Sequence, residues 1–196
     1  MKFLLRIVAA AAVVLLAGLA VTSSGGYDVS ARERHWPVTE RLIEWVRNRS
    51  IAAHAKDILV PASLDDHDRV VAGMAHYREH CAVCHGGPGT APDDMAEGMY
   101  PAPPDLQKAA RRRSPAELFW IIKNGIKMSG MPAWADHGDA DLWSIVALVV
   151  QLPSLKSDGY AKLAAEAEMI AGGHHHHHPG SESEEMEEDG HHQHHP

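Results

Sequence analysis

Cysteine is nearly absent: the 196 residues contain only Cys81 and Cys84. A disulfide framework needs more cysteines at wider spacings, so these two belong to one local site. Aromatic residues are scarce as well, at 6% of the chain with two Phe. Broad positive charge is missing too. The net charge is −8, and Glu182, Glu184, Glu185, Glu187, Glu188 and Asp189 crowd the last 23 residues, where no Lys or Arg stands. Nothing resembles the basic face of a nucleic-acid binder, which excludes that class of partner. Internal repeats and convincing strand patterns are also lacking. The expected fold class is therefore all-α, a small helical domain with extensions at both ends.

One long hydrophobic run is present. Lys2 and Arg6 give a positive start, and Ile7 to Val21 is an unbroken stretch of Ala, Val, Leu, Ile and one Gly. Thr22-Ser23-Ser24-Gly25-Gly26 then turns small and polar. Residues 1–26 read as a secretory signal peptide or as a membrane anchor. Residues 3–21 barely reach the length that spans a bilayer, and Gly18-Leu19-Ala20 is the nearest approach to a cleavage site. Both readings export the rest of the chain, so the expected location is the periplasm, soluble or tethered to the cytoplasmic membrane.

Residues 27–65 form a lead-in. A helix is expected from Thr39, whose hydroxyl suits a first-turn cap. Leu42, Ile43, Trp45, Val46 and Ile51 make an apolar stripe. Such stripes are usually core faces, so packing on the following domain is the expected role. A helix lying on a membrane beside an anchor is the sharper alternative. Asp68 to His80 reads as a further helix, ended by Gly86-Gly87-Pro88-Gly89. The long Pro- and Gly-containing stretch that follows suits a chain wrapped around a flat ligand. Ser114-Pro115-Ala116-Glu117 predicts a capped helix start, and Gly125 its stop. Asp139 or Asp141 opens a buried helix ended by Pro153. Tyr160 to Ala171 predicts a last one.

The chemistry is carried by Cys81-Ala82-Val83-Cys84-His85. C-x-x-C-H is the c-type haem attachment pattern. Each thiol adds to one haem vinyl group, and the adjacent imidazole then faces the iron. A redox dithiol with an incidental His is the bland alternative, and export and the two-cysteine total weigh against it. A zinc site would need a second ligand pair, which the body of the chain lacks. The sixth iron ligand is sought among Met95, Met99, Met128 and Met131. Met131 is favoured: Gly130 permits close backbone approach, and Pro132 biases Met131 toward an extended conformation. His/Met ligation makes a cytochrome of raised potential.

Residues 66 to 155 resemble a class I c-type cytochrome, similar to the single-haem exported proteins and to the cytochrome c subunits of bacterial terminal oxidases. Gly73 and Tyr77, the haem motif, Asn124-Gly125-Ile126, Gly130-Met131-Pro132-Ala133-Trp134 and Leu142-Trp143 carry the resemblance. It implies a first and last helix crossing at a small residue near an aromatic, with Gly73 against Trp143. It also implies a proline carbonyl on the other nitrogen of His85, from Pro101, Pro103 or Pro104. The cytochrome domain is expected over 66–160, a C-terminal helix over 161–173 and a disordered acidic tail over 174–196.

The implied function is electron transfer rather than catalysis. One covalent haem c is expected, held by Cys81 and Cys84 with iron ligated by His85 and Met131. A redox protein, such as an oxidase, a reductase or a copper enzyme, is the expected partner. A ligand-saturated iron argues against oxygen activation. Lys108 and Arg111-Arg112-Arg113 form a basic cluster read chiefly as solvated surface, with docking to an acidic partner as the alternative. Nine of the sixteen histidines lie in the tail. His174, His175, His176, His177, His178, His191, His192, His194 and His195 form a possible copper, nickel or zinc site, or else a purification tag. A metal-handling protein using that tail is the second functional reading.

Overall fold

The computed structural model describes residues 1–173. The acidic tail and its candidate metal-binding histidines lie outside the described residues. In chain order the helices are α1 (Lys2–Ser23), α2 (Pro37–Ala55), α3 (His67–His76), α4 (Ala82–His85), α5 (Asp94–Glu97), α6 (Leu106–Ala109), α7 (Pro115–Asn124), α8 (Asp139–Gln151) and α9 (Ser157–Gly173). A π-helical turn, Tyr77–Cys81, joins α3 to α4. Among the described residues the β structure is one isolated bridge, Gly87 to Thr90. The class is all-α.

The core gathers around α8. Its residues Leu142 to Val149 are all buried, as its all-round apolar sequence requires. Val70, Val71, Met74 and Tyr77 from the α3 arm, Leu118, Phe119 and Ile122 from α7, and Tyr160, Leu163 and Ala167 from α9 complete it. Gly73 is where α3 meets α8. A Cβ at Gly73 would stand 1.9 Å from the Ser144 carbonyl oxygen. The crossing is thus a backbone contact with Ser144, next to Trp143. The Trp143 ring instead stacks on Phe119, centroids 4.3 Å apart.

Sequence capping rules set α7 as expected. Ser114 Oγ accepts from the Glu117 backbone N–H and Glu117 returns a bond to the Ser114 N–H, with Pro115 at the first helical position. Ser114→Ala should therefore lower stability by about 1 kcal/mol. Urea unfolding followed by far-UV circular dichroism checks this; no change in midpoint would contradict it. Two helix starts differ from expectation. α2 begins at Pro37, two residues before Thr39, because Pro37 pre-sets the first helical φ and the Glu40 N–H bonds the Trp36 carbonyl at 3.0 Å. α9 begins at Ser157 rather than Tyr160, which puts Tyr160 inside the helix and in the core.

The expected core stripe of α2 is a correction. Of its five residues only Ile51 is buried, joined by Ala55. Leu42, Ile43, Trp45 and Val46 are exposed. The helix is held to the domain by its C-terminal half. There His54 stacks on Trp120 at 5.3 Å and Arg113 donates to Asn48. Periodicity thus marked a face that no described residue covers.

Candidate haem site

The α3 arm delivers Cys81, Cys84 and His85. The π turn Tyr77–Cys81 widens the helix just before the motif, a distortion common at functional sites. Tyr77 clamps the other end. Its buried hydroxyl donates to the Gly86 carbonyl at 2.9 Å. Burial pushes that hydroxyl's pKa up, so it stays a donor. Gly86 at φ +61° then turns the chain, since a Cβ there would meet the Thr90 carbonyl at 2.5 Å.

His85 Nδ1 hydrogen-bonds the Pro104 carbonyl oxygen at 2.9 Å. Among the three candidate prolines, this picks out Pro104. A carbonyl only accepts, so Nδ1 carries the proton and Nε2 is the nitrogen with a free lone pair. Burial lowers the His85 pKa, with the Pro104 bond opposing it. The imidazole is therefore held neutral, the form that ligates metal. A cleft of about 280 Å³ opens beside His85, lined by Tyr77, Pro92, Pro103, Leu106 and Leu152 among others. A larger polar cleft at the N-terminal ends of α3 and α8, lined by Asp66, Arg69 and Asp141, contains no motif residue.

Both cysteines are free thiols and half-buried. Burial, followed by the neighbouring Cys84, pushes the Cys81 thiol up to about 12. A redox dithiol needs the opposite, a depressed thiol pKa. The donor set thus fits covalent haem better than thiol exchange: two half-buried thiols at the attachment spacing and one oriented imidazole.

Met131 lies half-buried against the same core cluster as Cys81. Its loop is tightly closed. The Ile126 N–H bonds the Met131 carbonyl at 3.1 Å, the Met131 N–H donates to Ser129 Oγ at 3.2 Å, and the Trp134 N–H reaches back to the Ile122 carbonyl at 3.3 Å. Gly125, at φ +65°, passes so near Pro132 that a Cβ would come within 2.6 Å of its carbonyl carbon. The other candidates differ. Met128 is 81% exposed and Met95 58% exposed. Met99 is half-buried, with its sulfur 2.6 Å from where a Gly130 Cβ would stand. Met131 and, from the segment after α5, Met99 are therefore half-buried, while Met128 and Met95 are turned to solvent.

Sequence reasoning missed what covers the glycine turn after the motif. The Tyr160 ring of α9 stands 2.6 Å from a Cβ built on Gly87, and Ser157 Oγ 2.5 Å from one on Gly89. The glycine run itself was the available signal, because such runs permit close approach by another element. His80, just before the motif, packs on Trp134 with centroids 5.0 Å apart. The basic cluster is largely engaged within the chain. Lys108 pairs with Asp105 at 3.0 Å, Arg111 donates to the Pro153 carbonyl at 2.7 Å, and Arg113 pairs with Glu117 at 3.5 Å. That supports solvated surface over a dedicated docking patch.

A helical domain with C-x-x-C-H at the end of its first arm, a carbonyl-held histidine and a closed methionine loop is a c-type cytochrome domain. Residues 68–149 match the family model described as cytochrome c oxidase, cbb3-type, subunit III, a c-type cytochrome domain. The match covers less than half of the chain. No curated protein and no solved structure matches. A cytochrome c domain implies haem-based electron transfer, the role of a carrier rather than a catalyst.

Proposed function

We propose that this protein is an exported, membrane-tethered cytochrome that carries one covalent haem c and passes single electrons outside the cytoplasm. Cys81 and Cys84 anchor the ring, His85 Nε2 ligates iron on one face and Met131 on the other. The observation that carries this reading is the Pro104 carbonyl on His85 Nδ1, which leaves Nε2 aimed for metal. The haem supplies a one-electron iron couple. The chain's own groups do the rest. Pro104 fixes the imidazole, the closed 125–134 loop holds the thioether, and the apolar residues of α7 and α8 exclude water, which favours a raised potential.

The family match suggests a terminal oxidase as partner, as oxidase subunit or as its donor. Tethering is favoured by α1, 22 residues of high hydropathy with none of that span buried against the rest of the chain. Residues 3–21 just reach the length that spans a bilayer.

The test is covalent attachment. Acid–acetone extraction of the purified protein should leave one haem per chain with the polypeptide. In the C81S/C84S variant the colour should move to the solvent. Retention of haem by the double variant would sink the assignment. Localisation is read separately: protease added outside spheroplasts should degrade the cytochrome domain and spare cytoplasmic proteins.

A further inference from the structure

The outward face of α2 is apolar, and among the described residues nothing covers it. Val38, Leu42, Trp45 and Val46 are 70%, 59%, 61% and 51% exposed, and Trp36 just before them is half exposed. At 100° per residue these four lie within one stripe of the helix, opposite the Ile51, Ala55 side that packs on the domain. Arg41 flanks the stripe and Arg49 follows it one turn on.

The position of that face relative to α1 decides what covers it. α1 ends at Ser23, and the chain is already fastened to the cytochrome domain at Tyr27. The Tyr27 hydroxyl shares a 2.7 Å hydrogen bond with His35 Nδ1, and its ring meets Trp36 edge-on at 5.0 Å. The His35 N–H donates to the Tyr100 hydroxyl at 3.1 Å, with the two rings 5.1 Å apart. Ser24, Gly25 and Gly26 alone remain as leash. Three extended residues reach about 10 Å. A domain on so short a leash cannot leave the surface of the bilayer that α1 spans. The corner held nearest the bilayer is Tyr27 to Trp36, where α2 begins.

We infer that the outward face of α2 lies in the phospholipid interface beside α1, with Trp36 and Trp45 at headgroup level and Leu42 and Val46 below them. Tryptophan is enriched at that depth, and arginines there keep their charge in water while their stems cover apolar surface. α2 then acts as a second contact that fixes the tilt of the haem domain on the membrane, where a single flexible tether would leave it free to rotate. Interfacial helices of this kind bind through buried apolar area.

This inference rests on α1 being a retained anchor, and the test separates the two. Full-length holoprotein is reconstituted in phosphatidylcholine/phosphatidylglycerol vesicles doped with a phosphatidylcholine bearing a diazirine in its acyl chain. After irradiation and trypsin digestion, labelled peptides are mapped by mass spectrometry. Lipid adducts are expected on α1 and on the 42–47 peptide, while α9 stays bare. The L42Q/W45Q variant should lose at least two-thirds of the adducts on that peptide, with α1 labelling and the haem spectrum unchanged. Adducts on α1 with a bare 42–47 peptide in the unaltered protein would overturn the docking and leave the anchor standing. That result also covers occupation of the face by a protein partner or a second copy. Adducts on neither would remove the anchor, and the docking with it. The unaltered protein decides the matter even if the variant fails to fold.

Discussion

Met131→Ala will abolish the weak far-red absorption band of the oxidised protein and lower its midpoint potential by about 0.1–0.3 V. That is about an eighth to a third of the roughly 0.8 V over which axial ligands set haem potentials. A thioether is a soft, neutral donor that stabilises ferrous over ferric iron, and His/Met pairs therefore stand at the high-potential end. Alanine supplies no donor, and water or hydroxide in its place favours the ferric state. The variant should also bind carbon monoxide when reduced, which the saturated iron of the parent resists. Redox titration and carbon monoxide difference spectra read both effects.

Two controls sharpen the result. Met128 is exposed on the far side of the loop, so Met128→Ala should leave band and potential alone. Met99 is the informative one, since its thioether lies against Gly130, the residue before Met131. Met99→Leu keeps the packing and removes the sulfur. An unchanged band in that variant with a lost band in Met131→Ala assigns the ligand; the reverse pattern transfers the role to Met99. An unaltered spectrum and potential in Met131→Ala would end the assignment outright.

The haem motif was legible because its chemistry is local. Five consecutive residues carry two thiols and an imidazole at the required spacing, and no tertiary information is needed to read them. The capped start of α7 was legible for the same reason, since Ser114 and Glu117 satisfy each other within one turn. What escaped the sequence involved partners distant along the chain. Three prolines could offer a carbonyl to His85, and only the folded path of residues 100–105 selects Pro104. The α2 stripe was legible as a face, but periodicity names a face and never what covers it. Helix α9 was legible as a helix, yet its hold on the Gly87–Gly89 turn depends on Tyr160 and Ser157, about 70 residues away along the chain. The crossing at Gly73 was legible, but its closest approach is to the backbone of Ser144, the residue after Trp143. Pairing by residue type looks for side chains, and the contact Gly73 makes is with the backbone of the next residue.

That contact supports the second prediction: Gly73→Ala will lower the melting temperature of the holoprotein by about 8–16 °C. Two effects oppose each other at this position. Alanine is the better helix former by about 1 kcal/mol, which alone would stabilise α3. The new methyl, however, would sit 1.9 Å from the Ser144 carbonyl oxygen and 2.6 Å from its carbonyl carbon. Neither atom can swing aside, because both belong to the backbone of buried α8. Relief requires the two helices to separate by about 1 Å or more, and overpacking of this kind costs roughly 3 kcal/mol or above. The steric term wins, with a net loss of about 2 kcal/mol or more. For a domain of this size each kilocalorie shifts the midpoint by roughly 4–8 °C. Spreading α3 from α8 also moves the arm that carries His85, so haem absorbance should change at the same temperature as helical content. Gly98→Ala is the matched control. It ends α5 at φ −82° with nothing nearer than 3.7 Å to a new Cβ, and should stay within about 0.5 kcal/mol of the parent. Equal melting temperatures for Gly73→Ala and the parent would mean that the helices cross farther apart than the Gly73–Ser144 contact requires.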